Sequence, residues 1–376
     1  MVAKKDDTVI DDTKPSLLAD ERRALIVQTL SESGASRVAD LAERLDVTPV
    51  TIRRDLNLLQ ERGMVVRVHG GVALKKGNAT FEGTDHSPEE LPPVGMVVPS
   101  LDYYWPSVAR GAEERAATRG MRLILRKSAY WSIEEDRIQV EHLVEQVGVK
   151  GLLLTINVSE PGAGDLLQWI ADRGVPTVLV ERQGFYPNTG QPAESVISDH
   201  RAGTVVAIKH LLDLNHERIG FVIGRDSPTG QQIKGSWSDA AAKFGIDPEP
   251  AFSAELDNRD PQKLESQVGD VFKQYLAAQA TALVVHADVE ANALVQYFQS
   301  QGLNVPGDLS VVAYDDEVAS MFTPALTAVR PPRLSIGESA VDLLAGRMAD
   351  PFRPAHRLIL SPRLSVREST APPGSK

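Results

Sequence analysis

The sequence predicts an α/β chain in two parts: a short helical domain closed by a β-hairpin, then a large region of doubly wound parallel sheet in two lobes. Three observations carry this. Residues 20–74 hold three apolar-periodic helical segments followed by two short extended runs around Gly70-Gly71. From Val94 onward, apolar strand-like runs alternate with amphipathic helical ones, the pattern of a parallel sheet covered by helices. The alternation gives ten strand candidates, too many for one such sheet. Two lobes follow, with a ligand crevice at the strands' carboxyl ends.

The first part is read from its helix signals. Asp20 to Ser33 is a helical run ending at Gly34. Ser36 is expected to cap a second helix in which Val38, Leu41, Ala42 and Leu45 share a face. A short turn, Asp46-Val47-Thr48, leads to a third. There Thr48 can cap the exposed amides, and Pro49 at the first helical position loses no hydrogen bond. Ile52, Leu56 and Leu59 fall on one face; Arg54 and Asn57 project opposite, with Arg53 and Thr51 on the flanks. Gly63 ends the helix, and Met64 to Val68 is β-branched and extended ahead of Gly70-Gly71. Helix, helix, short turn, helix, hairpin is the order of a winged helix-turn-helix. Such a domain lays its third helix in the major groove and its hairpin against the backbone. The expected DNA-contacting set is Thr48, Thr51, Arg53, Arg54 and Asn57 on the helix, with Arg67 and His69 on the hairpin.

Charge agrees with that placement. The chain carries a net charge of −11, which opposes indiscriminate coating of nucleic acid. Residues 47–76 nevertheless hold six Lys/Arg against two Asp/Glu. The acidic remainder would repel phosphate and confine contact to that patch. Residues 22–74 resemble the DNA-binding domain of DeoR-type bacterial transcription regulators. The carriers are Val38-Ala39-Asp40-Leu41-Ala42, Val47-Thr48, Thr51-Ile52-Arg53-Arg54-Asp55-Leu56, Gly63 and Arg67-Val68-His69-Gly70-Gly71.

Composition bounds the rest. With 376 residues, 42% of them hydrophobic and 24% charged, the chain is long and apolar enough for two or three packed domains. The absence of cysteine excludes disulfides and thiolate metal sites, and the eight histidines are scattered. No metal or cofactor is expected. Met1 to Lys14 lacks the apolar core of a signal peptide, and no apolar run could span a bilayer. A cytoplasmic protein without a membrane partner is therefore expected.

The expected domains are a disordered N-terminus (1–18), the winged helix-turn-helix (19–75), a linker (76–93) rich in Lys, Gly, Ser, Glu and Pro, and the sheet region (94–370). Strand candidates are Val94–Val98, Arg122–Leu125, Gly151–Thr155, Thr177–Val180, Ser195–Ser198, Ile219–Ile223, Ala282–His286, Ser310–Tyr314, Thr327–Val329 and Leu358–Leu360. Helix candidates between them include Ser107–Arg119, Ile133–Gln146, Asp165–Arg173, Arg201–Leu214, Thr229–Phe244, Gln262–Leu276, Glu290–Gln301 and Leu334–Met348. Ser132 with Glu135 is a capping box, and Gly120, Gly174, Gly245 and Gly302 each follow a helix.

This region resembles the effector-binding domain of LacI/GalR-type regulators, which is periplasmic-binding-protein-like. Carriers include Val94-Gly95-Met96-Val97-Val98-Pro99, Val175-Pro176-Thr177-Val178-Leu179-Val180-Glu181-Arg182, His216-Glu217-Arg218-Ile219-Gly220-Phe221-Val222 and the run Gly302 to Asp316. Pro324-Ala325-Leu326-Thr327 and the closing Pro362-Arg363-Leu364-Ser365-Val366-Arg367-Glu368-Ser369 complete it. The resemblance implies two doubly wound sheets and three crossings between lobes. Lobe one is expected to hold 94–196 and 331–349, and lobe two 197–330 and 350–370.

Binding residues are expected where strands end. Tyr104 and Trp105 follow the first strand, and an aromatic there can stack on a sugar ring. Trp131 follows the second. Arg182 closes Thr177–Val180, where a guanidinium can donate paired hydrogen bonds to hydroxyls. Asp288 and Asp315 follow two further strands, and ionised carboxylates accept from neighbouring hydroxyls. Against the family pattern, Gln232 replaces an arginine, Ala287 an asparagine and Ala313 a glycine. The lost cation argues against a phosphorylated effector. An enzyme reading has little support: Gly162-Ala163-Gly164 is a partial glycine motif with Leu167 at its sixth position, and no nucleophile–base constellation stands out. The expectation is a homodimeric, non-enzymatic transcription regulator, a repressor bound to double-stranded operator DNA and controlled by a small sugar. The rivals are a transport sugar-binding component and a sugar-metabolising enzyme with an accessory DNA-binding domain. Thr-Ala-Pro-Pro-Gly-Ser-Lys after Ser369 shows no heptad, so a coiled-coil tetramer is not expected.

Overall fold

A computed structural model describes residues 22, 25–26, 29–30, 35–45, 47–61, 65–68, 71–74, 91–127, 132–225, 227–257 and 261–374. The chain divides into two compact units, Met1–Thr84 and Asp85–Lys376. The expected N-terminal tail and most of the expected linker lie outside the described residues.

In the first unit Arg22, Leu25, Ile26, Thr29 and Leu30 are helical. Helices Val38–Arg44 and Pro49–Glu61 follow. Strands Val65–Val68 and Gly71–Leu74 then pair antiparallel, Val68 opposite Gly71. The helices form because their apolar residues recur on one face, and those faces meet. Ile26, Leu30, Leu41, Ile52, Leu56 and Leu59 are buried together with Val65 and Val72 of the hairpin. Full burial stabilises each such side chain by about 1.5–3 kcal/mol. The Ser36 expectation is corrected. Ala35–Ser36 is a short strand on Val72 and Ala73, and the helix starts from Arg37 with no side-chain cap. The third strand comes so near that a Cβ on Gly71 would sit 2.5 Å from the Ser36 carbonyl oxygen. Only glycine fits there.

The second unit holds two six-stranded sheets. The first runs in the order Arg357–Leu360, Glu194–Ser198, Thr177–Val180, Leu152–Leu154, Pro93–Val98 and Arg122–Lys127, all parallel. The second runs Phe252–Leu256, Ile219–Gly224, Ala282–His286, Ser310–Tyr314 and Thr327–Arg330, parallel, and closes with Arg363–Ser365 antiparallel. Helices cover both faces, and each sheet separates two apolar clusters.

The lobe boundaries need one correction. Arg357–Leu360 pairs with Glu194–Ser198 in the first sheet, whereas Arg363–Ser365 joins the second. The stretch 350–370 is thus divided, and the crossings fall at about Asp199, Pro331-Pro332 and Ser361-Pro362. Two strands, Phe252–Leu256 and Arg363–Ser365, add to the ten expected. Both are edge strands with exposed or half-exposed positions, so neither shows an unbroken apolar run. The expected helix Thr229–Phe244 is two, Pro228–Gly235 and Trp237–Phe244, meeting at Ser236. The expected Ile133–Gln146 helix is α-helical over Ile133–Glu141 and π-helical over His142–Val147. Its Ser132 hydroxyl accepts from the Glu135 amide at 3.3 Å, as a capping residue should.

Candidate functional sites: a recognition helix and an interlobe cleft

Thr48 opens the third helix of the first unit, its hydroxyl accepting the Thr51 amide at 3.2 Å. With Ile52 and Leu56 held in the core, Arg53 and Arg54 are exposed. Asp55, between these two faces, is buried and ion-paired with Arg22, Nε to Oδ2 2.6 Å. That pair ties the arginine-bearing helix to the first helix and withdraws one negative charge from the exposed surface. It was not legible in sequence, because 33 residues separate the partners. The backbone of Asn57 and Arg67 lies in the expected helix and strand; their side chains, and His69 altogether, fall outside the described residues.

The second unit opens between its lobes into a cavity of about 430 Å³. From the first lobe, Tyr103, Tyr104, Trp105, Glu181 and Arg182 line it; from the second come Thr229, His200, His286 and Asp315. Tyr104 and Trp105 pack edge to face, centroids 5.3 Å apart. The Tyr104 hydroxyl donates to Glu181 Oε1 at 2.5 Å. Glu181 also accepts from the Ser198 hydroxyl at 2.7 Å and the Ser198 amide at 2.9 Å. Its acceptors therefore hold the first-lobe wall together. Arg182 is buried beside it and donates to the Glu181 carbonyl at 2.6 Å.

The second-lobe wall is a cluster of buried titratable groups. Burial, reinforced by nearby Asp288, pushes the Asp315 carboxyl up to about 8. Its Oδ2 lies 3.8 Å from His286 Nε2. Burial holds His200 down to about 4, with Nδ1 3.1 Å from the Tyr314 hydroxyl. At neutral pH the wall offers a protonated carboxyl and a neutral His200 imidazole, each able to donate and accept. Asp315 was expected as an ionised acceptor; burial instead favours its protonated form.

Asp288 is corrected more strongly. It begins the helix Asp288–Ser300 and is fully buried. Oδ1 accepts the Asp316 amide at 3.2 Å. Oδ2 accepts those of Glu317, Val318 and Ala319 at 2.7, 2.9 and 3.2 Å. The carboxylate organises the loop after Asp315 and does not face the cleft. Its own amide donates across the lobes to the Tyr103 hydroxyl at 3.3 Å.

Arg333 begins the helix Arg333–Ala349, directly after the chain crosses between the lobes at Pro331-Pro332. It donates to the carbonyls of Asp315 and Asp316 and pairs with Glu317 at 2.8 Å, and its guanidinium lies 5.6 Å from the Tyr104 ring centre. One side chain thus touches both walls. Gln232 lines an adjoining cavity of about 730 Å³. Trp131 lies outside the described residues. Of the expected effector residues, the structure brings Tyr104, Trp105, Arg182 and Asp315 to one cavity. Glu181, His200, His286 and Arg333 were missed. Glu181 carried the one available signal, as the neighbour of Arg182 at a strand end.

A helix presenting two exposed arginines on a compact helical unit, and a cleft between two lobes, point to a ligand-responsive DNA-binding protein. The DeoR-like helix-turn-helix domain matches residues 22–77, and the periplasmic binding protein-like domain matches residues 208–370. An HTH-type transcriptional regulator encoded 5′ of aml in Streptomyces limosus is 32% identical over 265 residues, 68% of this chain and 72% of that one. The HTH-type transcriptional regulator reg1 of Streptomyces lividans is 29% identical over 324 residues, 82% of this chain and 89% of its own. Among solved structures, the transcriptional regulator CelR–cellobiose complex superposes with a TM-score of 0.63 at 21% identity, covering 86% of this chain and 91% of that one. The chain belongs to the LacI-type helix-turn-helix transcriptional regulators, with a DeoR-like DNA-binding domain. These relatives are regulators, not enzymes.

Proposed function

We propose that this regulator represses genes of carbohydrate metabolism and leaves its operator when a sugar fills the interlobe cleft. The observation that carries the reading is the cleft's chemistry. An aromatic ring, Trp105, stands beside polar groups contributed by both lobes, the combination that takes a sugar's apolar face and its hydroxyls together. A ligand touching both walls binds best when the lobes are closed, and only such a difference in affinity can move a conformational equilibrium. If two chains dimerise through their sensors, closure changes the spacing of the two DNA-binding helices against half-sites of fixed separation. The cytoplasm is the compartment this role requires; no helix among the described residues is long and apolar enough to cross a membrane.

A thermal-shift screen against mono- and disaccharides tests the reading. A sugar at 100 times its dissociation constant should stabilise the fold by about 2.7 kcal/mol, without being consumed. Product accumulating from that sugar would favour an enzyme instead, and a panel with no stabilising sugar would remove the effector assignment.

A further inference from the structure

We infer that the effector is a two-ring ligand, a disaccharide lying across two compartments of one cleft; this rests on the sugar reading above. The cavity of about 430 Å³ has a neighbour of about 730 Å³. Glu181 and Arg182 line both, so the two meet at that pair. Small-molecule sites commonly occupy about 300–1,000 Å³. That range belongs to drug-sized ligands, so a single sugar ring is smaller than either compartment.

The compartments differ in chemistry. In the first, Tyr104 is committed to Glu181 through its hydroxyl, and Tyr103 accepts from the Asp288 amide. Trp105, half-exposed at the cavity wall, offers a platform with its ring. One platform accommodates the apolar face of one ring. Among the described residues, no aromatic lines the second compartment. Its wall carries the amides of Gln183, Gln231 and Gln232, which make no hydrogen bond to the protein among the described residues. Asn157 and Glu160 add a preset corner, the amide donating to the carboxylate at 3.1 Å. Amides both donate and accept, which matches hydroxyl groups and gives little to a bare aromatic ring. A monosaccharide on Trp105 would leave this second set to water.

Both compartments also span the lobes. In the second, Asn157 and Gln183 belong to lobe one, and Gln231 and Gln232 to the lobe-two helix Pro228–Gly235. The second ring therefore adds contacts made in full only on closure. The disaccharide should bind more tightly than its component rings and be the form that releases DNA.

The test is calorimetry on the full chain with cellobiose, maltose, lactose and xylobiose, each compared with its own monosaccharides, and with adenosine as a stacking ligand of different class. The expected result is one disaccharide binding at least tenfold tighter than either component. The double variant Gln231→Ala/Gln232→Ala should bring that ratio close to one; both residues are exposed, so the fold should survive. A monosaccharide that binds as tightly as its disaccharide overturns the two-ring inference and leaves the sugar reading standing. So does a ratio indifferent to the double variant. Adenosine binding above every sugar, or no binding anywhere in the panel, overturns both.

Discussion

Asp315 sits in the cleft wall with its carboxyl held up to about 8, so near pH 7 it is largely protonated and presents one donor and one acceptor. Asparagine reproduces that pattern. Asp315→Asn should keep effector affinity within a few-fold, whereas Asp315→Ala should lose about 1–3 kcal/mol by leaving a ligand hydroxyl unpaired; calorimetry on both variants decides, and an Asp315→Asn as damaged as Asp315→Ala would show that the ionised form is needed. The same group sets a pH dependence. Its folded value lies above the ordinary 3.8, so the native state holds the proton more tightly and this contribution to stability is lost as pH rises through about 8. Glu317, pushed up to about 7 by burial, acts in the same sense. His200, held at about 4 against an ordinary 6.5, acts oppositely, adding stability as pH rises from 4 to 6.5. Above 6.5 only the carboxyls among these three still titrate. The melting temperature of the effector-free protein should therefore fall between pH 6.5 and 8.5, less steeply in Asp315→Asn; a rise over that interval would contradict the assignment. On the DNA side, Arg53 and Arg54 are exposed and carry no packing. Arg53→Ala and Arg54→Ala should leave the melting temperature unchanged. Whichever arginine contacts a guanine edge should cost about 1–3 kcal/mol of specific affinity when replaced, read by gel-shift titration.

Elements were legible where burial is uniform. Thr177–Val180, Ala282–His286 and Ser310–Tyr314 match their sequence readings end to end, because a central parallel strand buried on both faces is a plain apolar run. Phe252–Leu256 and Arg363–Ser365 were not legible, because an edge strand half in solvent carries Ser253, Glu255 and Arg363 among its apolar residues. The cleft followed the same division. Trp105, Arg182 and Asp315 were found by position after a strand. Glu181 and Arg333 act through partners distant in sequence, Tyr104 lying 77 residues before one and Asp315 18 before the other. Asp288 misled because a strand-end carboxylate looks the same in sequence whether it faces a ligand or caps a loop. The helices Trp105–Thr118 and Arg333–Ala349 show what else sequence hides. They approach so closely that a Cβ on Gly337 would lie 2.0 Å from the Val108 carbonyl oxygen, and one on Gly111 2.1 Å from that of Leu334. Gly337→Ala must part the helices and should destabilise by about 1–3 kcal/mol, measurable by denaturant unfolding. Arg333 begins the second of these helices, so the same variant should also blunt the response to effector.

At the scale of the whole molecule, one unit holds the helix that exposes Arg53 and Arg54 and the other a cleft lined from two lobes. Their coupling requires a second copy, since a lone winged helix has no half-site spacing to lose. Light scattering at micromolar concentration should give about twice the chain mass; a stable monomer would remove the spacing argument. The central claim, that cleft occupancy controls DNA affinity, is tested most directly by fluorescence anisotropy. The labelled duplex would be one the protein itself selects from a random pool, titrated with the sugar that stabilises it most. The account predicts that saturating sugar weakens the selected duplex at least tenfold, that Asp315→Ala binds the same duplex normally without sugar, and that this variant needs far more sugar to let go. Duplex affinity unchanged at saturating sugar in the wild-type protein would contradict it.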